Sequence, residues 1–403
     1  MKFVAKHIFM SLSALLIPLL LIFCSSSTDS VPDENDNGTD ETQINYHEWS
    51  KSVFNLVHDY YYLDEFQLFR ENFPQQTGDP EVSYLWPYFG LLGGVNTLIE
   101  LGYESDDLQD IITHLEYYAD EADGELVYSA YPPFLGESDH YYDDNAVVGI
   151  KLLDLYRITE DQKYLNRAEE LMPFMYSGET TVCGGGIVWM DQYVDNPDIP
   201  NAHIGMSSSG YTVLFSLMLY QLTENEEYLE FATRIYEWLR NRLKDSVQNI
   251  YWNDVRMSDC SVNQDLFTYN TGVMMRVEIA LYEITEKGMH LREAQDLASG
   301  AFQTFAQSVD GTIFISPERD PWFNVKLLNG YLDLYKYDEE ASDYIDYFIE
   351  NANHAWEHAR NEYGLFYEDW TGNTPGRQEW LLNQVSLIEV FGQIAMYKGE
   401  EVH

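Results

Sequence analysis

Basic residues are scarce: 22 Lys and Arg stand against 68 Asp and Glu in 403 residues, for a formal charge of −46. A surface of that sign repels phosphate backbones, whose recognition needs clustered Lys and Arg, so nucleic-acid binding is excluded. The same charge opposes adhesion of the folded surface to anionic lipid heads. Cysteine is nearly absent, with three residues and no Cys-x-x-Cys pair, and the ten histidines are dispersed. A metal centre is therefore unsupported, and nothing calls for a cofactor. Cys183-Gly184-Gly185-Gly186 lacks the Lys and Ser or Thr that complete a phosphate loop. Ser207-Ser208-Ser209-Gly210 lacks the setting of a nucleophile elbow, which discounts serine-hydrolase chemistry. Alternating strand patterns are scarce as well.

What remains is apolar and aromatic. Hydrophobic residues make up 45% of the chain and aromatics 15%, enough for a large core. The 32 Tyr and 9 Trp favour neutral, polyhydroxylated ligands, because aromatic rings stack on the C–H faces of sugars. The first residues read as an address. Lys2 and Lys6 precede an apolar run over 8–23, followed by Cys24 and the polar Ser25-Ser26-Ser27-Thr28-Asp29. This pattern resembles a bacterial lipoprotein signal, in which the cysteine is lipidated and becomes the mature N-terminus. The expectation is a signal peptide over 1–23 and an exported protein that touches the membrane only through lipid on Cys24. An uncleaved signal anchor is the alternative. Residues 25–43 carry six acids and no base, so 24–44 reads as a solvated tether. With Cys24 lipidated, Cys183 and Cys260 form an even pair in an oxidising compartment and are expected to join in a disulfide.

From residue 45 onward apolar residues recur at three- and four-residue spacing. The pattern predicts twelve helices, over 45–62, 82–102, 105–119, 144–158, 161–177, 204–223, 225–243, 268–285, 289–308, 322–337, 339–361 and 379–398. A phrase repeats: Leu155-Tyr156-Arg157-Ile158-Thr159 returns as Leu219-Tyr220-Gln221-Leu222-Thr223 and as Leu281-Tyr282-Glu283-Ile284-Thr285, with a worn copy at Leu334-Tyr335. The period suits one inner helix, a short turn and one outer helix. Each Thr is expected to cap the helix that follows. Twelve helices make six hairpins, the number that closes an α/α toroid, so an all-α fold is expected: a single (α/α)6 barrel over 45–400, acting as a monomer. Its long connectors, 120–142, 178–203, 244–267, 309–321 and 362–378, should gather at one end and carry the chemistry.

Within them, Asp143 and Asp144 open the fourth helix in Tyr142-Asp143-Asp144-Asn145-Ala146. Two acids there can simply complement the helix dipole. They can also form the carboxylate pair of a glycoside hydrolase. Neighbouring Cα atoms lie about 3.8 Å apart, which suits the roughly 5 Å carboxyl separation of hydrolysis with retention better than the wider gap of inversion. Trp189, after the glycine run, is a candidate sugar platform or a packed core residue. Tyr269 and Asn270, in Thr268-Tyr269-Asn270-Thr271-Gly272, offer groups suited to sugar hydroxyls or merely start a helix. Trp86, at the second helix start, divides the same way between sugar binding and core packing.

In their order along the chain, these phrases resemble glycoside hydrolase family 76, the endo-acting α-1,6-mannanases. The resemblance is clear over 80–305 and continues by helix pattern. It implies an (α/α)6 barrel that cleaves α-1,6-linked mannose backbones with retention, with Asp143 as nucleophile and Asp144 as general acid/base. Tyr142, Trp189, Tyr269, Asn270 and Trp86 would contact the polysaccharide substrate. The chain departs from the family by Val147-Val148 where bulky aromatics are usual, and by Pro200-Asn201-Ala202 where Lys-Asn-Ala is common. The runner-up is a non-catalytic glycan-binding lipoprotein on the same fold. A third reading is another toroid enzyme, an unsaturated-uronyl hydrolase or sugar epimerase, which so acidic a chain fits less well.

Overall fold

Two kinds of helix alternate along the chain, and burial separates them. The computed structural model describes residues 44–194, 196–317 and 321–400. The expected signal peptide, Cys24 and the tether up to residue 43 lie outside the described residues. The helices are α1 (Tyr46–Tyr61), α2 (Leu85–Glu100), α3 (Asp106–His114) and α4 (Tyr142–Thr159). Then come α5 (Gln162–Glu169), α6 (Met172–Ser177), α7 (Met206–Thr223) and α8 (Glu226–Arg242). The last are α9 (Thr268–Thr285), α10 (Gly288–Phe305), α11 (Pro321–Tyr335), α12 (Ser342–His358) and α13 (Leu381–Lys398).

The helices α2, α4, α7, α9, α11 and α13 are apolar nearly all round and buried on every side, as a helix inside a core must be. They form the inner ring. Each packs on the next, and α13 packs on α2 to close the circle. The others bury one stripe, such as Ile345, Phe348, Ile349, Ala352 and Ala355 of α12, and form the outer ring. This is an (α/α)6 toroid. The fifth expected helix, the third of the outer ring, arrives in two pieces, because Pro173 cannot donate to the i−4 carbonyl and its ring crowds it. Gly272 lets α9 approach α11 closely: a Cβ there would lie 2.3 Å from the carbonyl oxygen of Lys326.

The repeated phrase marks the turn from inner to outer helix, with a correction. Thr159, Thr223 and Thr285 do not cap the following helices. Each hydroxyl donates back to the carbonyl four residues earlier and accepts the N–H two residues on. Asp161 and Asn225 supply the next N-caps. Between Thr and cap, Glu160, Glu224 and Glu286 stand in the left-handed region at φ 57°, 56° and 55°.

These short turns lie at one end of the barrel, and the long connectors, which carry short antiparallel strands, lie at the other. A second repeated device, not marked by any phrase, ties each connector down. The fourth residue of five inner helices turns back to the backbone of the connector before it. Asn145 accepts from Tyr128 N (2.7 Å), Ser209 from Ile187 N (3.0 Å) and Thr271 from Tyr251 N (3.3 Å). Asn324 donates to Ile315 O (3.0 Å), and Gln384 accepts from Phe366 N (2.8 Å). All five side chains are buried, so each bond satisfies a backbone group that water cannot reach. Halfway down the barrel, Glu389 of α13 lies 3.4 Å from Lys151 Nζ and 3.0 Å from Lys326 Nζ. Burial alone would raise its pKa, yet the two ammonium groups outweigh it and hold the carboxyl well below the ordinary range.

Candidate active site

The inner helices begin at the end where the long connectors gather, and their first turns surround a cavity of about 760 Å³. Asp143, Asp144 and Val147 of α4 line it with Trp86 of α2, Ser207 and Tyr211 of α7, and Tyr269 of α9. The connectors contribute Glu71, Asp139, Tyr141, Trp189, Asn253 and Trp380.

The start of α4 is fixed from both sides. Tyr142 N donates to Trp189 O at 3.0 Å, and Asn145 Nδ2 donates to Tyr128 O at 3.0 Å. His140, just upstream, bonds Asp191 through Nδ1 at 2.8 Å and approaches Asp120 and Ser129 through Nε2. The hydrogen bond to Asp191 raises its pKa against the opposing effect of burial. These contacts position the backbone that carries the two aspartates into the cavity lining.

Their environments differ. Asp143 Oδ2 accepts from Ser207 Oγ (2.8 Å) and Trp189 Nε1 (3.1 Å), while Oδ1 accepts from Asp144 N (3.1 Å). Burial raises the Asp143 pKa, and these three donors oppose the rise by favouring the charged form. Asp144 has no such set of donors among the described residues. Burial, reinforced by the adjacent Asp143 charge, pushes it well above the ordinary carboxylate range. The two neighbouring carboxyls thus differ: donors favour the charged form of Asp143, while burial and its neighbour's charge favour the protonated form of Asp144.

The expected contact residues divide. Trp189 lines the cavity, but its indole is committed to Asp143, and its ring packs between His203 (centroids 5.0 Å) and Tyr141 (4.6 Å). Tyr269 lines the cavity and donates to Asn253 Oδ1 at 3.3 Å. Trp86 lines it in an aromatic wall, stacked on Phe323 and edge-on to Trp380. Tyr142 and Asn270 do not face it. Tyr142 is buried, stacked on Phe174 with its hydroxyl at Ser177, because one helical step from Asp143 turns a side chain by about 100°. Tyr141, the residue before the helix, faces the cavity instead. Asn270 is fully buried, and its amide supports Asn253 from behind at 3.3 Å. Val147 lines the cavity, whereas Val148 is buried in the wall.

Several lining residues escaped the sequence reading. Glu71 accepts from Tyr84 N (2.8 Å) and Trp380 Nε1 (2.6 Å), and burial raises its pKa. It sits in the connector 62–84, which carries no recognisable phrase. Ser207 and Trp322 stand in the first turns of inner helices, and Trp380 is the N-cap residue before α13. Cys183 and Cys260 are joined by a disulfide that links the connectors before α7 and α9. Among the described residues, no group of three or more His, Cys, Asp or Glu is placed to hold a metal ion. No described helix is long and apolar enough to cross a membrane.

The sequence model of glycosyl hydrolase family 76 matches residues 45–402. A family 76 α-mannanase from Bacteroides thetaiotaomicron superposes with a TM-score of 0.80 at 24% identity, over 90% of this chain and 99% of that one. An α-1,6-mannanase from Salegentibacter sp. HEL1_6, solved as an inactive double-aspartate variant with an α-1,6-linked mannotetraose, gives a TM-score of 0.72 at 22% identity. That match covers 88% of this chain and 99% of that one. Likenesses at these identities establish the fold. Among curated sequences, the meiotically up-regulated gene 191 protein of Schizosaccharomyces pombe is 28% identical over 201 residues, 45% of this chain and 45% of that protein. The chain therefore aligns with less than half the length of that curated relative. The family match spans the whole helical body, and the chain belongs to glycosyl hydrolase family 76.

Proposed function

We propose that the protein is a retaining glycoside hydrolase that cuts internal α-1,6-mannosidic bonds of a mannan-type polysaccharide. The observation that carries this reading is the unequal aspartate pair on one cavity floor. Asp143, whose charged form is favoured by hydrogen bonds from Ser207, Trp189 and a backbone N–H, is the nucleophile. Its carboxylate attacks the anomeric carbon while Asp144, still protonated, donates to the glycosidic oxygen, and the bond between them breaks. The leaving chain departs with that proton. Asp144, now a base, takes a proton from water, whose oxygen displaces Asp143 and regenerates both groups. Two displacements at one carbon retain its configuration. The aromatic wall of Trp86, Phe323 and Trp380 suits the apolar faces of a sugar. Support for the α-1,6-mannan substrate comes from the solved relatives, one of which holds an α-1,6-linked mannose oligosaccharide. The pattern of residues 1–29 supports an exported protein anchored by lipid on Cys24.

The test is incubation with linear α-1,6-mannan and chromatography of the products. Oligosaccharides should appear with the native protein. Asp143→Ala and Asp144→Ala should each lower kcat by about 10³-fold or more, roughly 4 kcal/mol of transition-state stabilisation. Saturable binding of mannan without turnover would return the non-catalytic reading.

A further inference from the structure

Beside the catalytic cavity, the strands His203–Gly205, Asp254–Arg256 and Val262–Asn263 form an antiparallel sheet with Asp254–Arg256 at its centre. Period-two alternation sorts their side chains. Ile204 and Val255 are fully buried beneath the sheet. His203, Asp254, Arg256 and Asn263 share the opposite face, which floors a hollow of about 490 Å³ rimmed by Ser261 and Gln264. His203 and Asp254 line this hollow and the catalytic cavity alike, so the two adjoin.

The hollow's floor differs from the cavity's wall. It carries an imidazole, a carboxylate, a guanidinium and an amide, planar groups whose donors and acceptors suit pairs of neighbouring hydroxyls. Arg256 is the one Lys or Arg lining either space among the described residues. Asp259 lies 3.7 Å from it, and Asp254 stands two residues away on the same face. With a formal charge of −46 on the whole chain, the floor offers an anionic ligand no net attraction. The floor is also built in advance. Asn253 Nδ2 and Asn263 Nδ2 each hold Asp254 Oδ2 at 2.9 Å, and the Cys183–Cys260 disulfide ties the turn after Arg256 to the neighbouring connector. A preordered surface loses little entropy on binding.

We propose that this sheet face is a second sugar-binding arm, holding further neutral hexose units of a chain whose scissile bond lies over Asp143 and Asp144. The proposal rests on the hydrolase reading above and adds that long chains are preferred to short ones. The experiment is calorimetry of Asp144→Asn protein with linear α-1,6-linked mannotriose and mannohexaose, repeated after adding Arg256→Ala or Ser261→Tyr. Both positions are exposed, the first losing a forked donor and the second blocking the hollow. Mannohexaose should bind about tenfold tighter than mannotriose, the worth of one charged hydrogen bond, and either added change should erase most of that gain. Mannotriose affinity should move less than twofold. Equal loss for both lengths, or no loss for mannohexaose, overturns the arm. A length effect in binding from a native protein that never hydrolyses mannan sinks the hydrolase reading and keeps the arm. Hydrolysis with no dependence on length does the reverse, and failure of both sugars to bind ends both.

Discussion

At the scale of single residues, two aspartates of identical chemistry are separated by what touches them. Three donors converge on Asp143, while Asp144 meets burial and its neighbour's charge. Ser207 therefore acts as a positioning residue. Ser207→Ala removes one donor from a buried carboxylate and should lower kcat about tenfold, from about 1.5 kcal/mol lost at a charge-assisted bond. KM should stay nearly level. The sign of the pH effect follows: a hydroxyl that favours the ionised form holds the Asp143 pKa down, so its loss raises that pKa. The acidic limb of the kcat/KM profile should move to higher pH, and an unmoved limb would assign Ser207 a purely packing role. The aspartate pair was legible through its phrase, Tyr142-Asp143-Asp144-Asn145-Ala146, since adjacent acids alone also open α3 (Asp106, Asp107) and α8 (Glu226, Glu227). Tyr142 packs on Phe174 and does not line the cavity, because proximity to the pair in sequence says nothing about azimuth on the helix. Ser207 was passed over because a serine was weighed as a nucleophile and never as a donor to one.

At the scale of elements, helix spacing made all twelve positions of the double ring readable, since three- and four-residue periodicity survives any tertiary context. The break between α5 and α6 shows where one proline overrides that periodicity. Connectors were the opaque part. Their short strands have no period long enough to register, and what orders them is a set of buried fourth-position side chains. Gln384 is the cleanest example, bonding both Phe366 N (2.8 Å) and Phe366 O (2.9 Å). Gln384→Leu should cost roughly 1–3 kcal/mol, because two buried backbone groups lose their partner. Chemical denaturation would show a lower midpoint with an unchanged slope; an unchanged midpoint would mean that the connector repacks freely.

At the scale of the molecule, the toroid sets six helix N-termini around one cavity and a buried ion cluster beneath it. Glu389 is the keystone of that cluster, lying between Lys151 and Lys326 and pairing with both. Glu389→Ala takes from Lys326 its carboxylate partner and leaves Lys151 only Asp154, 4.0 Å away, and should destabilise the fold by about 3–5 kcal/mol, read as a lower Tm by calorimetry. Because the Glu389 pKa is depressed in the folded state, its contribution is present above the unfolded-state pKa and fades as pH falls toward the folded value. The variant's deficit should therefore shrink in acid, and a deficit independent of pH would contradict the ion-cluster account. This cluster was invisible in the sequence, where Lys151, Lys326 and Glu389 are isolated charges in apolar helices. Only ring closure brings residues 151 and 389 together. The most direct check of the whole reading is time-resolved proton NMR of α-1,6-mannan hydrolysis, following the anomeric signals of the newly freed reducing ends. The α-anomer should appear first and mutarotate slowly to the equilibrium mixture; initial release of the β-anomer would contradict it.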